Sequence, residues 1–188
     1  MSTLKNSYGI IIVDVQGKLA GLVNDAQALQ SRILALVSLC LAQDRPIIIC
    51  EQMPEKLGST IQPISDAATT ASFFSKSTFN AMQNDGLRSS VTQNSHWAVV
   101  GIEAHICVYQ TVKAMLGEGI DVSLITDAVS SRNVGDRHVA VAAMQAAGAG
   151  LKTTEMQLYE WLERADNSLY KDMLPIIKSL PANTYGLS

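Results

Sequence analysis

The amino-acid sequence predicts an α/β fold, a parallel sheet covered by helices, and three observations carry that prediction. Four short runs are apolar throughout or nearly so and end in polar or ionisable residues: Ile10-Ile11-Ile12-Val13 before Asp14, Pro46-Ile47-Ile48-Ile49-Cys50 before Glu51, Trp97-Ala98-Val99-Val100-Gly101 before Ile102-Glu103, and Val122-Ser123-Leu124-Ile125-Thr126 before Asp127. A strand with one wet face would alternate, whereas these runs need cover on both faces. The stretches between them repeat apolar residues three and four apart, as helices do. Finally, 188 residues that are 47% hydrophobic and 16% charged are enough for one core of ordinary size and too few for two comfortable ones. Residues 1–188 are therefore read as a single domain, with a short C-terminal tail after about 180.

Taken in order, the first apolar run is a strand, and Ala26 to Ala42 follows as a helix with Leu29, Ile33, Leu36, Val37 and Leu41 on its apolar positions. The second run is the next strand. Ala71-Ser72-Phe73-Phe74 reads either as a short strand or as an extended loop leading to Ser75-Lys76-Ser77. Asn84-Asp85-Gly86 reads as a turn before a brief helix over Leu87 to Thr92. Helices over Val108 to Leu116 and Val139 to Ala147 separate the later strands, and Lys152-Thr153-Thr154 reads as a final strand after the Gly148-Ala149-Gly150 turn. Glu155 to Arg164 then forms a helix, and Asn167 caps another over Ser168 to Leu180 that Pro175 kinks or restarts. Strand, helix, strand is the resulting rhythm.

Charge and cysteine content narrow the function. Fourteen Lys and Arg against 17 Asp and Glu give a net charge of −3, which supplies no long-range attraction to nucleic acid or anionic lipid. No segment approaches the ~18 consecutive apolar residues of a membrane span, and Met1 to Ser7 does not read as a cleavable leader. Cys40, Cys50 and Cys107 form neither a disulfide framework nor a CxxC metal pattern, so a cytoplasmic, reducing setting is expected. His96, His105 and His138 lack metal-ligand spacing, and no glycine-rich phosphate loop follows a strand; neither a metal nor a nucleotide cofactor is expected.

In an open parallel sheet ligands bind beyond the carboxyl ends of the strands, which singles out Asp14, Glu51 and Cys107. Asp14 ends a hydrophobic strand where neither a turn nor solubility demands an acid, although a loop or cap carboxylate would look the same. Cys107 sits where a strand ends and a helix begins. There, free backbone N–H groups and the helix dipole favour a thiolate and can receive charge on an oxyanion. A small buried hydrophobe is the alternative, and is the preferred reading for Cys40 and Cys50.

Three segments in this order, Ile12-Val13-Asp14-Val15-Gln16, Phe74-Ser75-Lys76-Ser77-Thr78-Phe79, and Gly101-Ile102-Glu103-Ala104-His105-Ile106-Cys107-Val108-Tyr109-Gln110-Thr111, resemble the signature segments of the isochorismatase-like cysteine hydrolase family. Ser130-Ser131-Arg132 and Cys50-Glu51-Gln52-Met53-Pro54-Glu55-Lys56-Leu57-Gly58 extend the resemblance towards isochorismatase domain-containing probable hydrolases. It implies a three-layer αβα sandwich with a mostly parallel, Rossmann-like sheet. It also implies a Cys-Asp-Lys triad of Cys107 as nucleophile, Asp14 as general base and Lys76 as the cation between them. A cis peptide joining Ile102 to Glu103 and an oxyanion hole of the Glu103 and Cys107 backbone N–H groups belong to the same implication. An adjacent ammonium lowers a thiol pKa, and a nearby acid receives the proton. The reaction implied is hydrolysis of a small amide, imide or carbamoyl compound through a covalent thioester-type intermediate.

Gln16, Glu51, Gln52, Phe79 and Tyr109 are expected to line the substrate pocket. Nicotinamidases of this superfamily usually carry a metal-binding Asp-x-His pair where this chain reads Glu51-Gln52-Met53-Pro54, so the expected cofactor set stays empty. A homo-oligomer acting on a small molecule, with no nucleic acid or membrane partner, is the overall expectation. The competing reading is a catalytically silent oligomeric scaffold, with Leu158-Tyr159-Trp161-Leu162 and Met173-Leu174-Ile176-Ile177 as its apolar interface.

Overall fold

The structure, a computed structural model, describes residues 8–183. The Met1 to Ser7 stretch, and the expected tail beyond residue 183, lie outside the described residues. Six parallel strands form one sheet in the order β3-β2-β1-β4-β5-β6: β1 (Tyr8–Val13), β2 (Ile47–Gln52), β3 (Ser72–Lys76), β4 (His96–Ile102), β5 (Asp121–Ser130) and β6 (Gly150–Lys152). The chain starts in the middle, winds outward to β3, returns to pair β4 with β1, and winds outward again to β6. Direction therefore reverses between β1 and β4, and their carboxyl ends open the crevice where ligands of such sheets bind.

Alternation along each strand feeds two cores. Ile10, Ile12, Ile47 and Ile49 pack under α1 (Ala26–Ala42), α3 (Gln62–Ala67), α7 (Thr154–Leu162) and α8 (Tyr170–Lys178). Ile11, Val13, Ile48 and Cys50 pack under α4 (Asp85–Val91), α5 (Tyr109–Gly117) and α6 (Val134–Ala146). This is the three-layer sandwich, with a sheet that is parallel throughout. Of the stretches read as a scaffold interface, Leu158, Trp161, Leu162, Met173 and Ile177 are buried in the first core, Leu174 and Ile176 are partly buried, and Tyr159 is exposed.

Several elements differ from the sequence reading. Ala71 to Phe74 resolves as a strand displaced to Ser72–Lys76, which brings Lys76 into the sheet. Asn84-Asp85-Gly86 is no turn: the Asn84 side chain accepts from the Leu87 N–H, and α4 begins at Asp85. α6 starts five residues before Val139, capped by Asn133. A short α2 (Pro54–Leu57) and α3 were not anticipated. β5 runs past Asp127 to Ser130 because its register slips: Val99 pairs with Leu124 but Gly101 with Val129. Arg137, buried on α6, donates Nε to the Val129 carbonyl at 3.0 Å and Nη2 to that of Thr126, satisfying carbonyls at this irregularity.

Gly101 sits in β4 at φ +118°, and a Cβ there would lie 2.1 Å from the Val13 carbonyl oxygen, immediately before Asp14. Gly101→Ala is expected to lower stability by about 2–4 kcal/mol in urea unfolding; a wild-type midpoint and slope would refute this account of the β1–β4 approach.

Candidate active site

The crevice collects one side chain from each of three chain segments. Asp14 leaves β1 in the left-handed region, φ 53°, with its N–H bonded to the Cys50 carbonyl at 3.0 Å and its own carbonyl accepting from Gln16 N–H at 2.9 Å. Asp is among the few residues that tolerate this conformation. Lys76 ends β3, opposite Gln52 of β2, on the face that Phe74 and Cys50 share. Its Nζ crosses the end of β2 to meet Asp14 Oδ2 at 2.7 Å and Gln52 Oε1 at 2.7 Å. The Lys76 and Asp14 side chains are each 1% exposed.

Cys107 arrives on a π turn (Ala104–Val108) that joins β4 to α5. The Glu103 carbonyl accepts from Ile106 N–H at 3.0 Å and from Val108 N–H at 3.3 Å, and the second of these bonds makes the turn wider than an α-helix. The bond from Ile102 to Glu103 is cis. The Glu103 side chain turns away from the crevice: its carboxylate accepts from the Arg132 backbone N–H at 3.0 Å and from Arg132 Nε at 3.1 Å. His105 also faces that loop, with Nδ1 2.9 Å from Ser131 Oγ and Nε2 3.9 Å from Asp136. His96 lies at the other end of β4, bonded to Ser123, with its ring tilted against that of Tyr8.

Burial governs the electrostatics. Desolvation raises the Asp14 pKa above the ordinary carboxylate range, and the Lys76 charge and hydrogen bonding from Lys76 and Cys107 only partly offset it. The Cys107 thiol is pushed up to about 12, first by burial and then by the Asp14 charge, while Lys76 pulls the other way. The depressed thiol expected from an ammonium and a helix start is therefore overturned; the resting thiol keeps its proton. Asp14 Oδ2 accepts from Lys76 Nζ at 2.7 Å, and the same buried carboxylate interacts with the Cys107 thiol and the Gln52 backbone. Cys40 and Cys50 are buried, free thiols raised by desolvation. Among the described residues, no group of three or more His, Cys, Asp or Glu is placed to hold a metal ion.

The five residues expected to line a pocket divide differently. Gln16, fully buried, accepts the Gln52 N–H at 2.6 Å and donates to the carbonyls of Gln52, at 3.0 Å, and of Gly58. Glu51, on the opposite face from Lys76, accepts the Thr60 N–H and hydroxyl, both at 2.7 Å. Gln52 holds Lys76 and donates Nε2 to the Ser77 carbonyl at 3.1 Å. These three polar side chains thus have hydrogen-bond partners inside the protein. Phe79 is 54% exposed. Tyr109 lines a surface groove of about 350 Å³ with Asn80, Gln83, Gln110, Lys113 and Ala114. Spacing in the sequence carries no signal for the Gln16 and Gln52 bonds, because their partners are mostly backbone groups remote along the chain.

Removing one member of a sealed ion pair strands the other, at a cost of roughly 3–5 kcal/mol, whereas replacing both is far milder. Lys76→Met and Asp14→Asn should each destabilise by about that much, and the double variant by clearly less than the sum. Additive losses in a double-mutant cycle of denaturant unfolding would show that the two groups are not coupled.

The family model described as "Isochorismatase domain" matches residues 8–156. Isochorismatase family protein 1B of Dictyostelium discoideum is 30% identical over 176 residues, covering 90% of this chain and 85% of that protein. Among solved structures, one described as MAR1 ribonuclease from Caenorhabditis elegans superposes with a TM-score of 0.90 at 30% identity, covering 97% of each chain. An octameric hydrolase of unknown specificity from Escherichia coli shares the fold, with a TM-score of 0.83 at 23% identity over 94% of this chain and 96% of that one. With its parallel sheet, the family match over most of its length and these relatives, this chain belongs to the isochorismatase family.

Proposed function

We propose that the protein hydrolyses a small amide, imide or carbamoyl compound by acyl transfer through Cys107, Asp14 and Lys76. The observation that carries this reading is that one buried carboxylate, Asp14, is held by Lys76 at 2.7 Å and also interacts with the Cys107 thiol. A carboxylate raised by desolvation is a stronger base than an ordinary one, and a protonated thiol needs such a base.

In the first half-reaction Cys107 Sγ attacks the carbonyl carbon as its proton passes to Asp14. The tetrahedral oxyanion is received by the Glu103 and Cys107 backbone N–H groups. Collapse breaks the C–N bond, and the departing amine or ammonia takes the proton from Asp14. In the second half-reaction water attacks the thioester while Asp14 takes its proton; the acid leaves, and that proton returns to the thiolate. Lys76 holds Asp14 and balances the thiolate when it forms. A thiol, a carboxylate and an ammonium complete this chemistry, so the reading includes no cofactor.

We further read the protein as a cytoplasmic homo-oligomer with a small-molecule substrate. The octameric state of the Escherichia coli neighbour supports assembly. Hydrolysis of RNA, raised by the description of the Caenorhabditis elegans structure, is disfavoured by the net charge of −3.

Cys107→Ser should lower turnover of a responsive small amide by about a thousandfold or more, and wild type trapped at short times should carry an acyl mass on Cys107. Unchanged turnover in Cys107→Ser would refute the covalent route, and turnover of RNA with none of any small amide would replace the substrate class.

Because Asp14 must be unprotonated to act as base, kcat/KM should fall as pH drops through its raised pKa. The acid limb is therefore expected above the ordinary ~3.9 of aspartate. A limb at or below the ordinary value, measured on the same substrate, would remove Asp14 from the base role.

A further inference from the structure

We propose that Gln52 is a positioning residue that sets the direction of the Lys76 ammonium, with Gln16 anchoring Gln52 in turn. The proposal rests on the reading of Cys107 as nucleophile. A lysine ammonium is a point charge with three donors on a flexible four-carbon stem, so by itself it has no fixed heading. With the Lys76 side chain sealed from water, its donors must find protein acceptors. Asp14 Oδ2 and Gln52 Oε1 take two of them at 2.7 Å each, and the ammonium also interacts with Cys107. Asp14 alone would leave the ammonium free to pivot about one bond; Gln52 supplies the second fixed point.

Gln52 can serve as a fixed point because every part of it is held. Its Nε2 donates to the Ser77 carbonyl, which dictates that Oε1 faces Lys76. Its backbone N–H and carbonyl are both gripped by the Gln16 side chain, at 2.6 and 3.0 Å, and Gln16 is itself held by the Gly58 carbonyl. The amide is also neutral. It orients the ammonium by a dipole while leaving the charge to Asp14 and to the thiolate formed during reaction. A carboxylate in the same place would compete with that thiolate for the ammonium.

Alkylation of Cys107 by iodoacetamide, followed on the full chain by intact mass with peptide mapping over about pH 7 to 10, tests this without knowledge of the substrate. Gln52→Glu, of the same shape, should react about tenfold more slowly at each pH, the equivalent of one pKa unit upward for the thiol. Gln52→Met removes the acceptor, lets the ammonium swing onto both oxygens of Asp14 and so blocks the base; it should slow reaction about fivefold. Circular dichroism establishes folding of each variant. If both variants fold and alkylate within twofold of wild type while Lys76→Met is slowed, Gln52 does not position the ammonium and the proposed function stands. Wild-type alkylation in Lys76→Met and Asp14→Asn as well would sink the nucleophile reading and this proposal together. If neither Gln52 variant folds, Gln52 is structural and the proposal is overturned.

Discussion

A buried ammonium and a buried carboxylate, 2.7 Å apart and each 1% exposed, are the constraint on which the crevice depends. Each ion taken from water alone costs several kcal/mol, and their attraction offsets this only when the geometry is good and the remaining donors and acceptors are met. The surrounding backbone supplies that geometry. β3 must end with Lys76 on the Cys50 face, β1 must release Asp14 in a left-handed turn, and Gly101 must lack a Cβ so that β4 can lie close against Val13. The strand order places these ends beside the reversal point between β1 and β4, so the fold's natural crevice and the ion pair coincide.

How far this was legible in the sequence depended on whether a residue's environment lies close along the chain. The central strands β1, β2 and β4 were legible because burial on both faces writes itself as unbroken apolar runs. The edge strand β3 was not, since Ser72, Phe73 and Ser75 are exposed and read equally as loop. The apolar run of β5 ends before Asp127, an acid that ordinarily marks a strand end. Here that carboxylate is neutralised by Arg32, distant in sequence, and the strand continues through an irregularity that Arg137 supports. α6 began unseen because its first turn, Val134-Gly135-Asp136-Arg137, carries a buried arginine where a core helix would show an apolar residue. Asp14 and Cys107 stood out by position at strand ends. Lys76 was carried by resemblance alone, and the Gln16 and Gln52 bonds had no sequence signal.

The thiol illustrates why proximity arguments need magnitudes. An ammonium beside Cys107 and a helix beginning at Tyr109 both favour a thiolate, and from sequence they were the visible influences. Burial and the Asp14 charge oppose them and prevail, leaving the thiol near 12. A permanently ionised cysteine would be open to oxidation and stray electrophiles, whereas a protonated one is guarded against both. The raised thiol of Cys107 and the raised carboxyl of Asp14 thus arise from the same closed environment.

The protein contains a second buried ion pair that serves as an internal control for this reasoning. Arg32 Nε lies 3.5 Å from Asp127 Oδ2, and its Nη1 donates to the Asp127 carbonyl at 2.9 Å. Asp127 Oδ1 accepts the Thr154 N–H at 2.7 Å and its hydroxyl at 2.9 Å, so both carboxylate oxygens have partners. Arg32 also reaches the carbonyls of Pro181 and Ala182, tying α1, β5, α7 and the chain's last described turn into one knot. Charge type, burial and fold are shared between the two pairs, and the difference lies in the partners. Asp127 is saturated by rigid partners, which suits an acid that only holds structure. Asp14 is met by the side chains of Lys76 and Cys107 in a desolvated crevice, and desolvation raises its pKa. Burial alone therefore does not distinguish these two acids; the groups that meet each carboxylate do.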